Sequence, residues 1–261
     1  MNNIDSATEL RLQLQRWFAG PLGRSLEAHE ANCLRQVLPR LYGALALQLG
    51  AIGPLDMLDS AAAPKHILLD LPPHDGTFVR GVPEQLPFAC KSVDVALLPH
   101  TLDFCDDPHA VLREVTRVLA PEGHVVILGF NPVSLWGLRR LFTRAPRAMP
   151  WCGSFLRLSR IKDWLALLEL QVTHGTMLYY RPPLARERVV ERMHLLDKAG
   201  DRWWPLLAGV YMVVAKKRVA GVTPLPLEWK KKRLVGGIVA RPMARGIVVP
   251  FQRPAVSKRT A

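Results

Sequence analysis

Side chains that can move a proton follow the apolar run at residues 93–98, in the segment PHTLD (99–103). His100 is the candidate base, because the unperturbed pKa of an imidazole lies near neutrality. Asp103 would either orient His100 or simply face solvent. The alternative for His100 is a loop residue that packs against a ligand without taking a proton. Both interpretations stay open at the level of the sequence.

The cysteines do not form a metal-binding pattern. The four of them, at positions 33, 90, 105 and 152, are scattered without a C-x-x-C pair, which is typical of reduced structural thiols in a cytosolic protein. Cys105 and His109 have a spacing that two metal ligands could share. Because the chain offers no second ligand pair, we predict no metal site.

Apolar runs alternate with helical patterns along the middle of the chain. The predicted strands lie at residues 44–50, 66–71, 78–79, 93–98 and 124–130, with two later ones around 171–180 and 208–217. Continuous apolar strands between helices favour a parallel sheet that is covered on both faces. We therefore predict an α/β, doubly wound, Rossmann-like fold with its ligand crevice outside the carboxyl ends of the strands.

Three segments show helical spacing of apolar residues. The clearest is 107–119, where Asp107 is placed to cap the helix and Pro108 occupies its first position. A second helix is predicted from Ser25, as its cap, to about residue 41, and a third begins with Ser159 as its cap.

The basic charge of the chain is concentrated near its C-terminus. The formal net charge is +13, but residues 216–261 hold 12 Lys/Arg and one acidic residue, a net charge of +11. The other 215 residues hold 23 Lys/Arg and 21 Asp/Glu, a net charge of +2. The nearly neutral charge of residues 1–215 argues against a catalytic face that binds nucleic acid. Any nucleic-acid contact is therefore expected in the basic C-terminal segment.

These patterns divide the chain into three parts: an N-terminal helical extension (1–43), an α/β domain (44–218) and a basic Pro/Gly-rich tail (219–261) that we predict to be disordered. The N-terminal residues lack a basic stretch followed by an apolar core, and the longest charge-free apolar run, 203–215, is too short to span a bilayer. The sequence therefore predicts no transmembrane segment and a cytoplasmic location.

The segment LPFACKSVDVALLPHTLDFCDDPHAVLREVTRVLAPEGHVVILGF (86–130) resembles the type 11 group of class I S-adenosylmethionine (SAM)-dependent methyltransferases. The matched positions are Pro108, Leu112, Glu114, Arg117, Val118 and Leu119 in the helix, and Pro121 and Gly123 in the turn. L-P-H at 98–100 and G-F-N-P at 129–132 are similar to an uncharacterised proteobacterial branch. The resemblance implies SAM as cofactor and a mostly parallel sheet with an antiparallel edge strand, over residues 40–218.

A SAM site in this family needs a glycine turn after the first strand and a carboxylate after the second. Gly50 and Gly53 supply the turn, and Asp70 follows Gly50 by 20 residues, a spacing that suits a ligand for the ribose hydroxyls. The alternative for Asp70 is a turn residue beside Pro72. The other candidate cofactor contacts are Gln48, Glu84, Gln85, Leu86 and Pro99.

Three positions depart from the family pattern. Gln48 stands where a carboxylate is expected to meet the methionyl ammonium, Ile52 where a glycine is expected, and Val82 where an acidic residue is expected near the adenine. A charge-assisted hydrogen bond is roughly twice as strong as a neutral one, so the resemblance implies weaker cofactor binding here.

The favoured hypothesis is a SAM-dependent methyltransferase that acts on a small or lipid-like acceptor. The first alternative is a non-catalytic methyltransferase-fold protein that binds a partner or another ligand. The second is a nucleic-acid methyltransferase anchored by the basic run 230–233, which would also suit an anionic membrane surface. The patch 134–147 is either an amphipathic helix with solvated arginines or a surface for an anionic or lipid-like substrate. No oligomeric state is predicted.

Overall fold

The computed structural model describes residues 3–72, 78–142, 149–183 and 207–218. These residues belong to one compact unit, 1–220. The predicted disordered tail (219–261) and its basic run lie outside the described residues. No helix among the described residues combines the length and the apolar character that crossing a membrane requires.

Seven strands of the described part of the chain form one sheet in the order β3-β2-β1-β4-β5-β7-β6. They are β1 Leu45–Leu49, β2 Lys65–Asp70, β3 Phe78–Arg80, β4 Val93–Pro99, β5 Leu119–Phe130, β6 Leu170–Leu178 and β7 Val210–Lys217. The first five pair in parallel, and β7 runs antiparallel to both β5 and the edge strand β6. The predicted doubly wound, mostly parallel fold is confirmed.

Five α-helices accompany the sheet within the described residues: α1 Asn3–Phe18, α2 Pro21–Val37, α3 Pro108–Val118, α4 Leu135–Phe142 and α5 Leu158–Leu167. Helix α3 begins as predicted, because the Asp107 side chain accepts hydrogen bonds from the backbone N–H groups of His109 and Ala110. Such a cap satisfies donors that the first helical turn leaves unpaired.

Two predicted helix starts are wrong. Helix α2 begins four residues before Ser25, with Pro21 at its first position and Gly20 as N-cap, so Ser25 lies inside the helix. Proline is pre-organised for the first helical position, and it outweighs the later serine. Helix α5 begins after Arg157, which makes no side-chain cap, so Ser159 is already helical.

Helices α1 and α2 cover one face of the sheet. Residues 50–64, between β1 and β2, form turns instead of a covering helix, and the N-terminal helices pack there. Leu14 and Phe18 of α1 are fully buried in this core. Burying one such side chain stabilises a fold by roughly 1.5–3 kcal/mol, so α1 is an integral part of the domain. Helices α3 and α5 cover the opposite face.

Candidate functional site

The candidate cofactor crevice lies where the carboxyl ends of β1, β2 and β4 meet. Gly50 follows β1 with a φ of 87°, a left-handed conformation that glycine adopts without a steric penalty. Its N–H donates to Leu69 O at 2.7 Å, and the side chain of Gln48 donates to Gly50 O at 3.0 Å. Hydrogen bonds to residues of β1 and β2 therefore hold the turn in place, and Gln48 is one of these residues.

Asp70 is the last residue of β2 and is only 2% exposed. The backbone N–H groups of Ala51 and Leu71 each donate to its carboxylate at 2.8 Å. Two side chains of α1 also donate to it, Arg11 through Nε at 3.2 Å and Gln15 through Nε2 at 3.4 Å. The predicted ribose ligand is thus a buried carboxylate, fixed by the glycine turn on one side and by α1 on the other.

Arg11 lies directly on the glycine turn. A Cβ placed on Gly50 would overlap the Arg11 guanidinium. The guanidinium can therefore lie against the turn only because Gly50 has no side chain. The Arg11 side chain is 6% exposed, and its Nη2 has no hydrogen-bond partner among the described residues. One buried guanidinium nitrogen therefore lies against Gly50 without an acceptor in the described part of the chain.

Glu27 of α2 makes the corresponding approach to Gly53. A Cβ on Gly53 would contact the Glu27 carboxylate, whose Oε1 accepts from the backbone N–H of Leu55 at 2.9 Å. Oε2 is buried without a partner in the described part of the chain. Burial raises the pKa of Glu27, the Leu55 N–H opposes that shift, and the nearby charge of Glu30 adds to it.

A cavity of about 430 Å³ opens beside Asp70. It is lined by Ser6, Ala7, Leu10, Arg11, Asp70, Leu71, Val82, Pro83, Glu84, Gln85, Thr101, Phe104, Cys105 and Asp106. Three predicted cofactor contacts, Asp70, Glu84 and Gln85, meet in this lining. The others are Gln48, Gly50 and Gly53 at the adjoining turn, Leu86 in the core and Pro99 at the end of β4, and none of these five lines the cavity.

Residues 86–88, which directly follow the lining residues 82–85, are held by two charged residues of α3. The Leu86 N–H donates to Glu114 Oε2 at 3.1 Å, and Arg117 donates to the carbonyl groups of Leu86 and Phe88 at 2.9 and 3.0 Å. Arg117 also donates to Glu114 through Nε at 2.9 Å, and this hydrogen bond lowers the pKa of Glu114. The E-x-x-R spacing on α3 thus positions the wall of the cavity and leaves no donor at Leu86 for a ligand.

His100 lies under α2, away from the cavity lining, and is fully buried. Its Nε2 is 2.8 Å from Glu30 Oε1, and its Nδ1 is 3.1 Å from Asp103 Oδ2. The imidazole lies 4.1 Å from the ring of Phe130, measured between centroids. Asp103 also accepts from the Phe130 N–H at 2.9 Å. The structure therefore joins α2, the loop after β4 and the end of β5 through one buried polar cluster.

The electrostatics of this cluster favour a positioning role for His100. Burial alone would lower the pKa of His100, but Glu30 and Asp103 outweigh it and raise that pKa to about 9. Burial raises the pKa of Asp103, and the hydrogen bond from His100 opposes it. An imidazole with so high a pKa is protonated at neutral pH and cannot accept a proton there. The assignment of His100 and Asp103 as catalytic residues stays a prediction.

The N-terminal helices supply the site residues that the sequence analysis missed, namely Arg11, Glu27 and Glu30. A signal for α1 exists in the four-residue spacing of Leu10, Leu14 and Phe18, which is typical of one helical face. No comparable signal connects these charges to the crevice, because their partners lie far away in the chain.

Cys105 and His109 do not come together as ligands. The thiol of Cys105 donates to Leu102 O at 3.6 Å and burial raises its pKa, whereas the His109 ring packs on Trp164 with centroids 3.7 Å apart. Over residues 3–72, 78–142, 149–183 and 207–218, no group of three or more His, Cys, Asp or Glu side chains is placed to hold a metal ion.

Known proteins share both the sequence pattern and the fold. Residues 55–127, from the end of the glycine turn into β5, match the type 11 family described as "Methyltransferase domain". This part of the chain thus matches a methyltransferase domain, and the fold is that of class I methyltransferases. This match confirms the resemblance found in residues 86–130, while the narrower placement in a proteobacterial branch stays a prediction.

Three relatives illustrate the similarity of this methyltransferase domain. The uncharacterised protein YafS of Escherichia coli is 38% identical over 155 residues, which cover 59% of this chain and 61% of YafS, so the chain matches about three fifths of that relative. A demethylmenaquinone methyltransferase of Chlamydia pneumoniae is 32% identical over 87 residues, 32% of this chain and 37% of that protein. A SAM-dependent methyltransferase structure from Thermotoga maritima shares the fold, with a TM-score of 0.56 and 14% identity over 78% of this chain and 94% of that one.

The family and the fold imply SAM as the cofactor, and the crevice fits it. The methyltransferase domain offers a buried carboxylate at the end of β2, a left-handed glycine turn and an adjoining cavity. Two buried polar atoms at that turn, Arg11 Nη2 and Glu27 Oε2, lack a partner among the described residues. Those atoms suit the charged amino-acid end of such a ligand.

Proposed function

We propose that this protein transfers a methyl group from SAM to a small-molecule or lipid-like acceptor. The observation that carries the proposal is Asp70, a buried carboxylate at the carboxyl end of β2 that faces a cavity large enough for a nucleoside. Ligands of doubly wound folds bind at this edge of the sheet. The similarity of residues 55–127 to methyltransferase domains supports the same activity.

When bound, SAM supplies an activated methyl group on a sulfonium, which a nucleophile takes by in-line displacement. The residues of this chain position the reactants. Asp70 would accept hydrogen bonds from the ribose hydroxyls in place of the donor Gln15 Nε2, which lies 3.4 Å away, and the wall at Glu84 and Gln85 would receive the adenosine end. Leu10 of α1 and Phe104 cover the cavity and exclude water. Positioning and exclusion of water are the main contributions a protein makes to such a displacement.

The surface near the carboxyl end of β5 supports a lipid-like acceptor. Helix α4 exposes Leu135, Leu138 and Phe142, which recur at helical spacing on one side. Arg139 lies on the same helix, so the apolar face carries a cationic border. An apolar helix face with arginines is typical of proteins that contact amphipathic molecules. The near-neutral charge of residues 1–215 gives no comparable support for a polyanionic acceptor.

The direct test is transfer of a labelled methyl group. The full chain is incubated with an excess of methyl-labelled SAM and a cell extract that retains its small molecules and lipids. The products are then separated into organic-soluble, small aqueous, protein and nucleic-acid fractions. An Asp70→Asn variant provides the background, since it retains the shape of the side chain but loses the charge.

Label in the organic-soluble or small aqueous fraction, absent with Asp70→Asn, is the expected result. Label confined to nucleic acid or protein would contradict the proposed acceptor class. Binding of SAM without transfer to any fraction would contradict the proposed activity and favour a non-catalytic binding protein.

A further inference from the structure

Two buried atoms of opposite charge character lie at the glycine turn without partners among the described residues. One is Nη2 of Arg11, and the other is Oε2 of Glu27. Arg11 approaches Gly50, and Glu27 approaches Gly53 three residues later. Another polar atom of each group is engaged: Arg11 Nε donates to Asp70, and Glu27 Oε1 accepts from Leu55.

Buried charged groups are normally paired or hydrogen-bonded, because a buried charge without a partner loses its hydration and gains nothing in return. An unpaired guanidinium N–H calls for an anion, and an unpaired carboxylate oxygen calls for a cation. A zwitterion carries both charges within a few bonds. The α-amino acid end of SAM is such a group, and the glycine turn is where that end is expected to lie.

We infer that Arg11 and Glu27 bind the amino-acid end of the cofactor, Arg11 the carboxylate and Glu27 the ammonium group. This inference rests on the proposed function, since it assumes that SAM occupies the crevice. It assigns to α2 the acidic contact that Gln48 cannot supply from β1. The Nε2 of Gln48 donates to Gly50 O at 3.0 Å, and its neutral amide oxygen has no charge to pair with an ammonium group.

The arrangement gives the N-terminal helices a direct part in the site. Arg11 contacts the ribose ligand Asp70 with one side of its guanidinium and offers the other side to the amino-acid carboxylate. The fork of a guanidinium can serve two acceptors at once, which a lysine cannot do in the same geometry. The end of β2 and residues 84–85 therefore hold the nucleoside, and α1 and α2 complete the recognition of the amino acid.

The first experiment removes the charges from the ligand and leaves the protein intact. The full chain is titrated calorimetrically with S-adenosylhomocysteine, with its decarboxylated analogue S-adenosyl-3-thiopropylamine, and with methylthioadenosine, which lacks both charged groups. Loss of the carboxylate is expected to weaken binding by roughly 10- to 100-fold, as for other hydrogen bonds between charged groups. Methylthioadenosine is expected to bind weakest.

The second experiment removes the charges from the protein. Arg11→Met and Glu27→Gln are expected to weaken S-adenosylhomocysteine binding by at least about tenfold. Glu27→Gln is expected to change methylthioadenosine binding by less than about threefold, because that ligand has no ammonium group. Arg11→Met also removes the hydrogen bond to Asp70, so it is expected to weaken the binding of both ligands, and that of S-adenosylhomocysteine more. Arg16→Ala and Glu9→Gln, exposed residues of α1, are the matched controls and should bind both ligands as the parent protein does.

The outcomes separate the inference from the proposed function. If the folded parent protein binds none of the three ligands, the proposed function fails. If it binds all three equally, or if both variants bind S-adenosylhomocysteine as tightly as the parent, only the assignment of Arg11 and Glu27 fails. Where one variant does not fold, the other still tests its residue, and equal binding of all three ligands by the parent protein contradicts the inference.

Discussion

His100 is held by carboxylates from two different elements, Glu30 of α2 and Asp103 in the loop after β4. Both ion pairs are buried, so the charge on the imidazole persists only while the fold keeps its partners in place. A proton bound more tightly in the folded state than in the unfolded state makes stability depend on pH. The cluster thus links α2 to the sheet in a way that titration can detect.

The first prediction concerns that dependence. The pKa of His100 rises from 6.5 to about 9 on folding, so its contribution is complete below pH 6.5 and is lost as the pH rises through 9. The free energy of unfolding should fall by up to about 1.4 kcal/mol per pH unit across this window. Chemical denaturation at a series of pH values measures the slope, which His100→Gln should abolish.

The matched control for this slope is His109→Gln, an exposed position at the start of α3, which should leave the slope unchanged. Parallel curves for the parent protein and His100→Gln would show that the Glu30–His100–Asp103 cluster does not hold an extra proton.

The second prediction concerns Gly50, whose φ of 87° and contact with Arg11 both exclude a side chain. Gly50→Ala should lower the free energy of unfolding by roughly 1–3 kcal/mol, since it adds backbone strain and displaces a buried guanidinium. Gly175→Ala in β6 is the control, because a Cβ there meets nothing within 4 Å. Equal effects of the two substitutions on denaturation midpoints would contradict the close approach of Arg11.

Helix α3 supports the chain segment that follows the cavity lining. Glu114 and Arg117 hold the backbone of residues 86–88 by hydrogen bonds, and residues 82–85 immediately before it line the cavity. The E-x-x-R pair that carries the family resemblance is therefore a positioning device in this structure. The sequence alone shows the pair and its spacing, but not the carbonyl groups that it binds.

The third prediction tests that support. Arg117→Met removes donors to Leu86 O and Phe88 O and should destabilise the fold by roughly 1–3 kcal/mol. It should also weaken S-adenosylhomocysteine binding, because the wall at 84–85 loses its anchor. Arg113→Met is the control, since Arg113 is two-thirds exposed and lies 3.9 Å from Asp107, a pair expected to contribute little. Denaturation and calorimetry of both variants measure the two effects.

Should Arg117→Met destabilise the protein without changing its affinity for S-adenosylhomocysteine, α3 would hold the fold but not the cavity wall.

For the whole molecule, sequence periodicity predicted the sheet because its strands are continuous apolar runs. The start of α3 was predictable because its signal is local: the Asp107 side chain accepts hydrogen bonds from the first turn of the helix. The role of α1 and α2 was beyond such reasoning. Arg11 meets Asp70 across 59 positions and Glu30 meets His100 across 70, and apolar spacing shows which face of a helix is buried, not what it is buried against.

The central claim is that the crevice between Gly50 and Asp70 binds SAM. Calorimetric titration of the full chain and of Asp70→Asn with S-adenosylhomocysteine tests it most directly, with circular dichroism to show that both are folded. We expect one binding site with micromolar affinity in the parent protein, and a loss of at least about tenfold in Asp70→Asn. A folded parent protein that gives no binding heat, or an Asp70→Asn variant that binds equally well, would contradict the account.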